Sequence, residues 1–187
     1  MTWILFLEQC LNGLQFGLML FLLVAGLTLI FGIMDLINLA HGSLYMIGAY
    51  LVATFTQATG SFLLAVPLGL AATAVICMVV EATVLRGLYK RDHLSQVLAT
   101  FALILIANES TRAIWGLQAL TLNVPEALSG SVELLPGLHY SAFRLAIIIV
   151  GLLVAAGLYF LAVRTRIGLL VRAGASNRQM ATAMGTN

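Results

Sequence analysis

Charge is scarce in this chain. Of 187 residues, nine are Lys or Arg and seven are Asp or Glu, where an average soluble domain carries roughly a quarter charged residues. With 61% of its residues hydrophobic, a water-facing globule of this size lacks the polar groups to cover its surface. An ordinary soluble domain is therefore excluded, and lipid takes the place of water. The net charge of +2 is too small for a nucleic-acid surface, and no nucleic-acid partner is expected. Lysine is almost absent: Lys90 is the single one, preceded by Arg86-Gly87-Leu88-Tyr89. A phosphate loop, with its Gly-Lys-Ser/Thr end, does not occur. No nucleophile–base pair stands out either, so neither an enzymatic activity nor a cofactor is expected. Energy for any uphill work must come from a partner or a co-transported ion. Cys10 and Cys77 lie in apolar stretches and read as small buried hydrophobes. His41, His93 and His139 are too far apart for a metal-ligand spacing. No Lys or Arg precedes Arg86, so the apolar amino-terminal stretch lacks the basic start of a secretory signal and reads as a retained membrane helix.

What the chain has in abundance is long apolar runs. A spanning helix needs about 20 apolar residues. Five segments are predicted: 11–33, preceded by a more polar lead (Glu8, Gln9, Asn12, Gln15); 43–58, short for a full crossing; 62–85; 94–115; and 142–163. The expected fold is therefore all-α, a polytopic transmembrane helix bundle forming a single domain over residues 1–187. Between the last two helices lies a less apolar connection, about 116–141, with Pro125, Gly130, Pro136 and Gly137. Seven of the nine basic residues fall in the 86–91 loop and the 164–178 tail. Cytoplasmic loops retain such charge, which orients both inward and puts the 116–141 connection and, by count, the amino terminus outside.

Two interruptions stand out. The first is Asp35–Gly42 between the first two helices. Asn38 and His41 are three apart, so on a helical turn they share a face, and Gly42 permits a helix end or a close backbone approach. Irregular backbone at membrane depth is tolerated only within protein or beside a water-filled cavity, and transporters use such breaks to aim helix termini at polar solutes. An ordinary interfacial turn is the alternative. The second is the tail. Ser176 or Asn177 can cap a short helix that Gly185 ends, with Met180, Ala181 and Met184 on one face and Arg178 elsewhere. So short a helix is marginal alone and calls for a partner groove, or for anionic lipid held through Arg164, Arg166 and Arg172. Gly13-Leu-Gln-Phe-Gly17 has the spacing of a close helix contact. Glu109 and Arg112 are placed to pair, Glu81 to meet a neighbouring arginine, and Arg144 to reach outward from its helix end.

Gly26-Leu27-Thr28-Leu29-Ile30-Phe31-Gly32, then Ile37-Asn38-Leu39-Ala40-His41-Gly42, then Met46-Ile47-Gly48-Ala49-Tyr50 resemble the branched-chain amino acid ABC transporter permease family. Glu81 followed by Arg86, Leu88 and Arg91 resembles the family's Glu…Arg-Pro-Leu-Arg segment, with Gly87 where proline is usual. Permeases for urea or short amides share the pattern. The resemblance implies a permease subunit of an ATP-binding-cassette importer in the bacterial inner membrane. Asn38, His41 and Gly42 would lie at the translocation pathway. Ser176, Asn177, Arg178, Met180, Ala181, Met184 and Gly185 would form the coupling segment. The implied partners are ABC ATPase subunits, a second permease subunit and a periplasmic substrate-binding protein, besides membrane lipid. Family members continue with further helices, so the resemblance implies the amino-terminal part of a permease domain. An ion-coupled secondary transporter, with Asp35 and His41 carrying protons, is the alternative of another class.

Overall fold

The computed structural model describes residues 2–34, 36–118, 120–122, 125, 128–176 and 180. The fold is helical throughout its apolar runs. Among the described residues four helices are long and apolar enough to cross a membrane: Trp3–Phe31, Phe62–Leu88, His93–Trp115 and Ala142–Arg164. Large apolar side chains stand outward on them, with Leu63 80% and Leu153 67% exposed, a surface that only lipid or protein can cover. This is a multi-pass membrane protein. The chain divides into two compact units, Met34–Asn123 and Met1–Ile33 with Val124–Asn187.

The first of these units holds α2 (His41–Thr59), α3 (Phe62–Leu88) and α4 (His93–Trp115). Helix α2 ends at Gly60, whose φ of 66° turns the chain while its N–H bonds Thr56 O. Helices α2 and α3 pack antiparallel through small residues. Gly48 faces Thr73, Gly69 faces Val52, and Ala53 and Ala65 are buried. Small side chains let helix backbones approach, which is how membrane helices gain packing without a hydrophobic drive between them. The glycine of the Met-x-Gly-Ala-Tyr pattern is thus a packing glycine. Helix α3 widens into a π-turn over Glu81–Leu85, where Arg86 N–H bonds Glu81 O. Such wide turns are rare and concentrate at functional places.

Asp92 starts α4. Its Oδ2 accepts from Ser95 N–H at 3.2 Å and its Oδ1 from the Ser95 hydroxyl at 2.7 Å. These hydrogen bonds, the hydroxyl's first, hold the Asp92 carboxyl below the usual aspartate range. A depressed carboxylate contributes stability above its unfolded pKa and loses it as pH falls through the folded one. The thermal midpoint of the wild type is therefore expected to exceed that of Asp92→Ala at neutral pH. The gap is expected to close only below the ordinary aspartate pKa; melting both proteins across acid pH checks it. At the far end of α4, Trp115 donates to Thr54 Oγ1 at 2.7 Å and lies 5.2 Å from the Tyr50 ring. Since Gln96 and Thr100 reach Ile37 at the other end, α4 runs parallel to α2.

The second unit holds α1 (Thr2–Met34), a hairpin of β1 (Ser131–Leu135) and β2 (Leu138–Ser141), α5 (Ala142–Arg164) and α6 (Arg166–Ser176). Helix α1 starts nine residues before the predicted 11–33 segment. Glu8, Gln9, Asn12 and Gln15 do not interrupt it, because backbone hydrogen bonds are satisfied within a helix whatever the side chain. The hairpin corrects the reading of 116–141 as a bare connection. Pro136-Gly137 makes its turn, with Gly137 at φ 86° and its N–H on Glu133 Oε1 at 3.1 Å. Alternate residues Leu138 and Tyr140 are buried. Tyr140 and Arg144 both donate to Asn12 Oδ1, at 3.1 and 2.9 Å, so Arg144 turns to α1 rather than simply outward. Ile4 lies beside Gly137, and Leu18 beside Gly151. Asn12 with Arg144 and Leu18 with Gly151 advance together along both helices, so α1 and α5 run parallel.

Candidate functional site

The break between α1 and α2 is short and tightly held. Leu36, Asn38 and Ala40 are buried. The Asn38 side-chain carbonyl accepts from Ala40 N–H at 3.1 Å, and its main-chain carbonyl from His41 N–H at 3.4 Å. An asparagine bonding the backbone two residues on imitates a turn with its own side chain, so Asn38 bends the chain into the first turn of α2. Asn38 and His41 do not share a helix face, contrary to their spacing. Asn38 precedes the helix in irregular backbone and His41 is its first residue, because the side chain of Asn38 competes with helix formation. His41 is half-buried, and Gly42 is exposed with nothing within 4 Å of an added Cβ. Among the described residues no close approach uses that glycine. Leu39, 46% exposed, is the outward residue of the turn. Asp35 lies outside the described residues.

Helix α4 supplies what fastens the break. Gln96, 2% exposed, accepts from Ile37 N–H through Oε1 at 3.2 Å. Its Nε2 donates to Leu88 O at 3.3 Å and Arg91 O at 3.2 Å. Fully buried Thr100 lies one turn on, its hydroxyl 2.8 Å from Gln96 O and 3.4 Å from Ile37 O. Among the described residues no buried side-chain nitrogen or oxygen lacks a hydrogen-bond partner, as a low-dielectric interior requires. Sequence reasoning passed over Gln96. The available signal was two polar residues, four apart, on one face of an apolar helix.

The basic loop is braced from α3. Glu81 Oε1 accepts from the Tyr89 hydroxyl at 2.7 Å, so its partner is a tyrosine and not the expected arginine; the π-turn and the loop bring the phenol within reach first. Burial, then the hydrogen bond to Glu81, pushes the Tyr89 pKa up to about 12, keeping the phenol a donor. Glu109 and Arg112 do pair, at 3.1 Å and well exposed; pairs of this kind contribute about 0.5 kcal/mol or less.

The tail contains a helix that was not anticipated. Helix α6 is described over Arg166–Ser176, with Ser176 itself helical. Arg172 falls opposite Leu170 round the helix, part of an amphipathic pattern that the basic composition obscures. Thr165 joins it to α5: its hydroxyl accepts from Gly168 N–H at 3.2 Å, an N-cap. Arg172 donates back to Gly168 O at 3.3 Å and Val163 O at 3.5 Å, satisfying a carbonyl at the α5 end where positive charge is favoured. A Cβ on Gly168 would run into the carbonyl oxygens of Leu161 and Ala162. Met180 is 64% exposed. Asn177, Arg178, Ala181, Met184 and Gly185 lie outside the described residues.

These features accord with what the chain is similar to. The family model described as branched-chain amino acid transport system / permease component matches residues 9–187. The high-affinity branched-chain amino acid transport system permease protein BraD of Pseudomonas aeruginosa is 27% identical over an alignment of 195 residues, covering 97% of this chain and 63% of BraD. The corresponding permease protein LivH of Salmonella typhimurium and of Escherichia coli is 47% identical over 45 residues, 24% of this chain and 15% of LivH. The chain thus spans less than two thirds of the length of these relatives. No solved structure matches it. With helices that cross a membrane, a held break at the Asn-x-Ala-His-Gly pattern and a match over nearly its whole length, the chain belongs to the branched-chain amino acid transport permease family.

Proposed function

We propose that this chain forms part of the translocation pathway of an ATP-driven importer for branched-chain amino acids in the bacterial inner membrane. It works with ABC ATPase subunits, a second permease subunit and a periplasmic substrate-binding protein. The family match over residues 9–187 carries this reading, supported by the printed names of BraD and LivH. In this reading the break is where solute passes. Asn38 spends its side-chain carbonyl on the backbone and holds the turn, while Leu39, His41 and Gly42 are the residues solute meets. Non-helical backbone held this firmly suits a pathway lining.

The chain has no nucleotide-gripping loop, so ATP is bound by the partner and its closure must favour one access state over the other by differential contact. Segment 176–185 receives that motion. Met180 is already exposed, and a methionine surface adapts to a docking groove. Helix α6, stapled to α5 by Thr165 and Arg172, carries the displacement into the membrane. In right-side-out vesicles loaded with ATP and carrying the whole system, leucine uptake is expected to require ATP and to survive an uncoupler. Met180→Asp with Met184→Asp is expected to abolish both uptake and ATPase co-purification while membrane insertion persists. Uptake that collapses with the uncoupler and ignores ATP overturns the reading.

A further inference from the structure

From the hydrogen bonds of one buried amide we infer that Gln96 is a positioning residue that couples the basic loop 86–92 to the helix break 36–40, so that a displacement of the loop is delivered to the break. The functional consequence rests on the permease reading; the coupling itself does not.

Gln96 is placed where three segments of one compact unit meet. Its amide has one carbonyl and one NH2 group, and the two ends are spent on different segments. The carbonyl takes Ile37 N–H from the break, while the NH2 takes Leu88 O and Arg91 O, which bracket the turn between α3 and α4. Burial to 2% exposure keeps water from substituting for any of the three, and leaving such a group unpaired costs about 1–3 kcal/mol. A break or a loop that moved alone would strand an amide, so the two move together or not at all. Thr100 stands on the same face but does a different job. Its hydroxyl is anchored on the carbonyls of its own helix at Gln96 and Val97 and reaches only the break, at Ile37 O. It holds the break without touching the loop. The loop is the exposed, cationic end of the unit, with Arg86, Lys90 and Arg91, and Tyr89 clamps it to the π-turn through Glu81. A force applied at the loop therefore has two rigid outlets, α3 and the break.

The test needs no partner protein. The full chain in lipid nanodiscs is followed by amide hydrogen exchange at Ile37 and Ala40. The loop is perturbed by inserting Gly-Gly after Lys90. The insertion alone and Gln96→Met alone are each expected to speed exchange at Ile37 about tenfold, while the two together give no further gain, the non-additivity of a shared contact. Methionine matches glutamine in length and preserves packing, so loss of the fold is not the cause; an unchanged thermal midpoint within a few degrees verifies this. Thr100→Val is expected to loosen the break yet leave it fully responsive to the insertion. Additive effects of the insertion and Gln96→Met, or a Thr100→Val protein that no longer responds, overturn the coupling. Leucine uptake by the assembled system is measured separately. Should the parent transport no amino acid while the non-additivity holds, the permease reading fails and the coupling stands.

Discussion

Exchanging Gly69 for alanine is expected to lower the stability of the α2–α3 pair by about 1–3 kcal/mol, the usual cost of overpacking a tight contact. The measurement is the thermal midpoint of the purified chain in detergent. Gly69 is buried, and a Cβ there would overlap Val52 Cγ2 and stand 3.1 Å from Val52 Cα and 3.2 Å from its nitrogen. Part of that obstacle is a side chain and part is backbone. Val52→Ala in the Gly69→Ala background should therefore restore a fraction of the loss, because the methyl leaves and the main chain stays. Full restoration would mean that the helices are free to separate, and no restoration that the contact is not between these two residues. Gly48 is a milder case, since its neighbour is the Thr73 side chain at 3.1 Å, which can turn away.

Gly168→Ala is expected to act differently, because there nothing can be trimmed to make room. The obstructing atoms are the carbonyl oxygens of Leu161 and Ala162, part of the last turn of α5. The added methyl has to push α6 off the end of α5, breaking the Thr165 cap and the Arg172 bonds to Gly168 O and Val163 O. In inverted vesicles, trypsin cleavage after Arg166 and Arg172 is expected to rise about tenfold, which corresponds to about 1.4 kcal/mol of local opening. In the complete transporter the same variant is expected to lose uptake, since the segment proposed to receive the ATPase would no longer be held to the membrane. Cleavage at the wild-type rate would show that α6 tolerates displacement and would remove Gly168 from the path of coupling.

Much of the helical layout could be read from hydropathy, because in a bilayer the backbone has few alternatives to the helix. The runs near 62–85, 94–115 and 142–163 coincide with α3, α4 and α5 to within three residues at each end, and the Glu109–Arg112 pair forms as its spacing suggests. What escaped depended on other kinds of information. Polar side chains near the start of α1 suggested an end that the backbone does not observe. The hairpin carries a Pro-Gly turn signal, but its strands are only five and four residues long, and an expectation of helices overrode them. The amphipathic period of α6 was hidden by attention to its arginines. Gln96 was invisible for a deeper reason: an amide on an apolar helix acquires meaning only when the break and the loop are brought to either end of it, and that juxtaposition is tertiary. Asn38 shows the converse. Its position was singled out, and the use of its side-chain carbonyl in the turn appears only once Ala40 N–H is placed against it.

The parallel course of α1 and α5 sets a condition on how the chain crosses the bilayer. Two helices that descend side by side must be entered from the same side of the bilayer. Between their starts the chain must traverse it an even number of times. Apolarity alone qualifies three of the intervening helices, α1, α3 and α4, which is odd. An even count would need α2 as the fourth traverse, and its threonine hydroxyls at positions 54, 56 and 59 are compatible with lipid because they are bonded to carbonyls of their own helix. If Arg164 closes α5 on the cytosolic side, as the basic residues suggest, the same parity leaves Thr2 on the opposite face, a placement for which the stretch before Arg86 has no basic residue of its own to vote with.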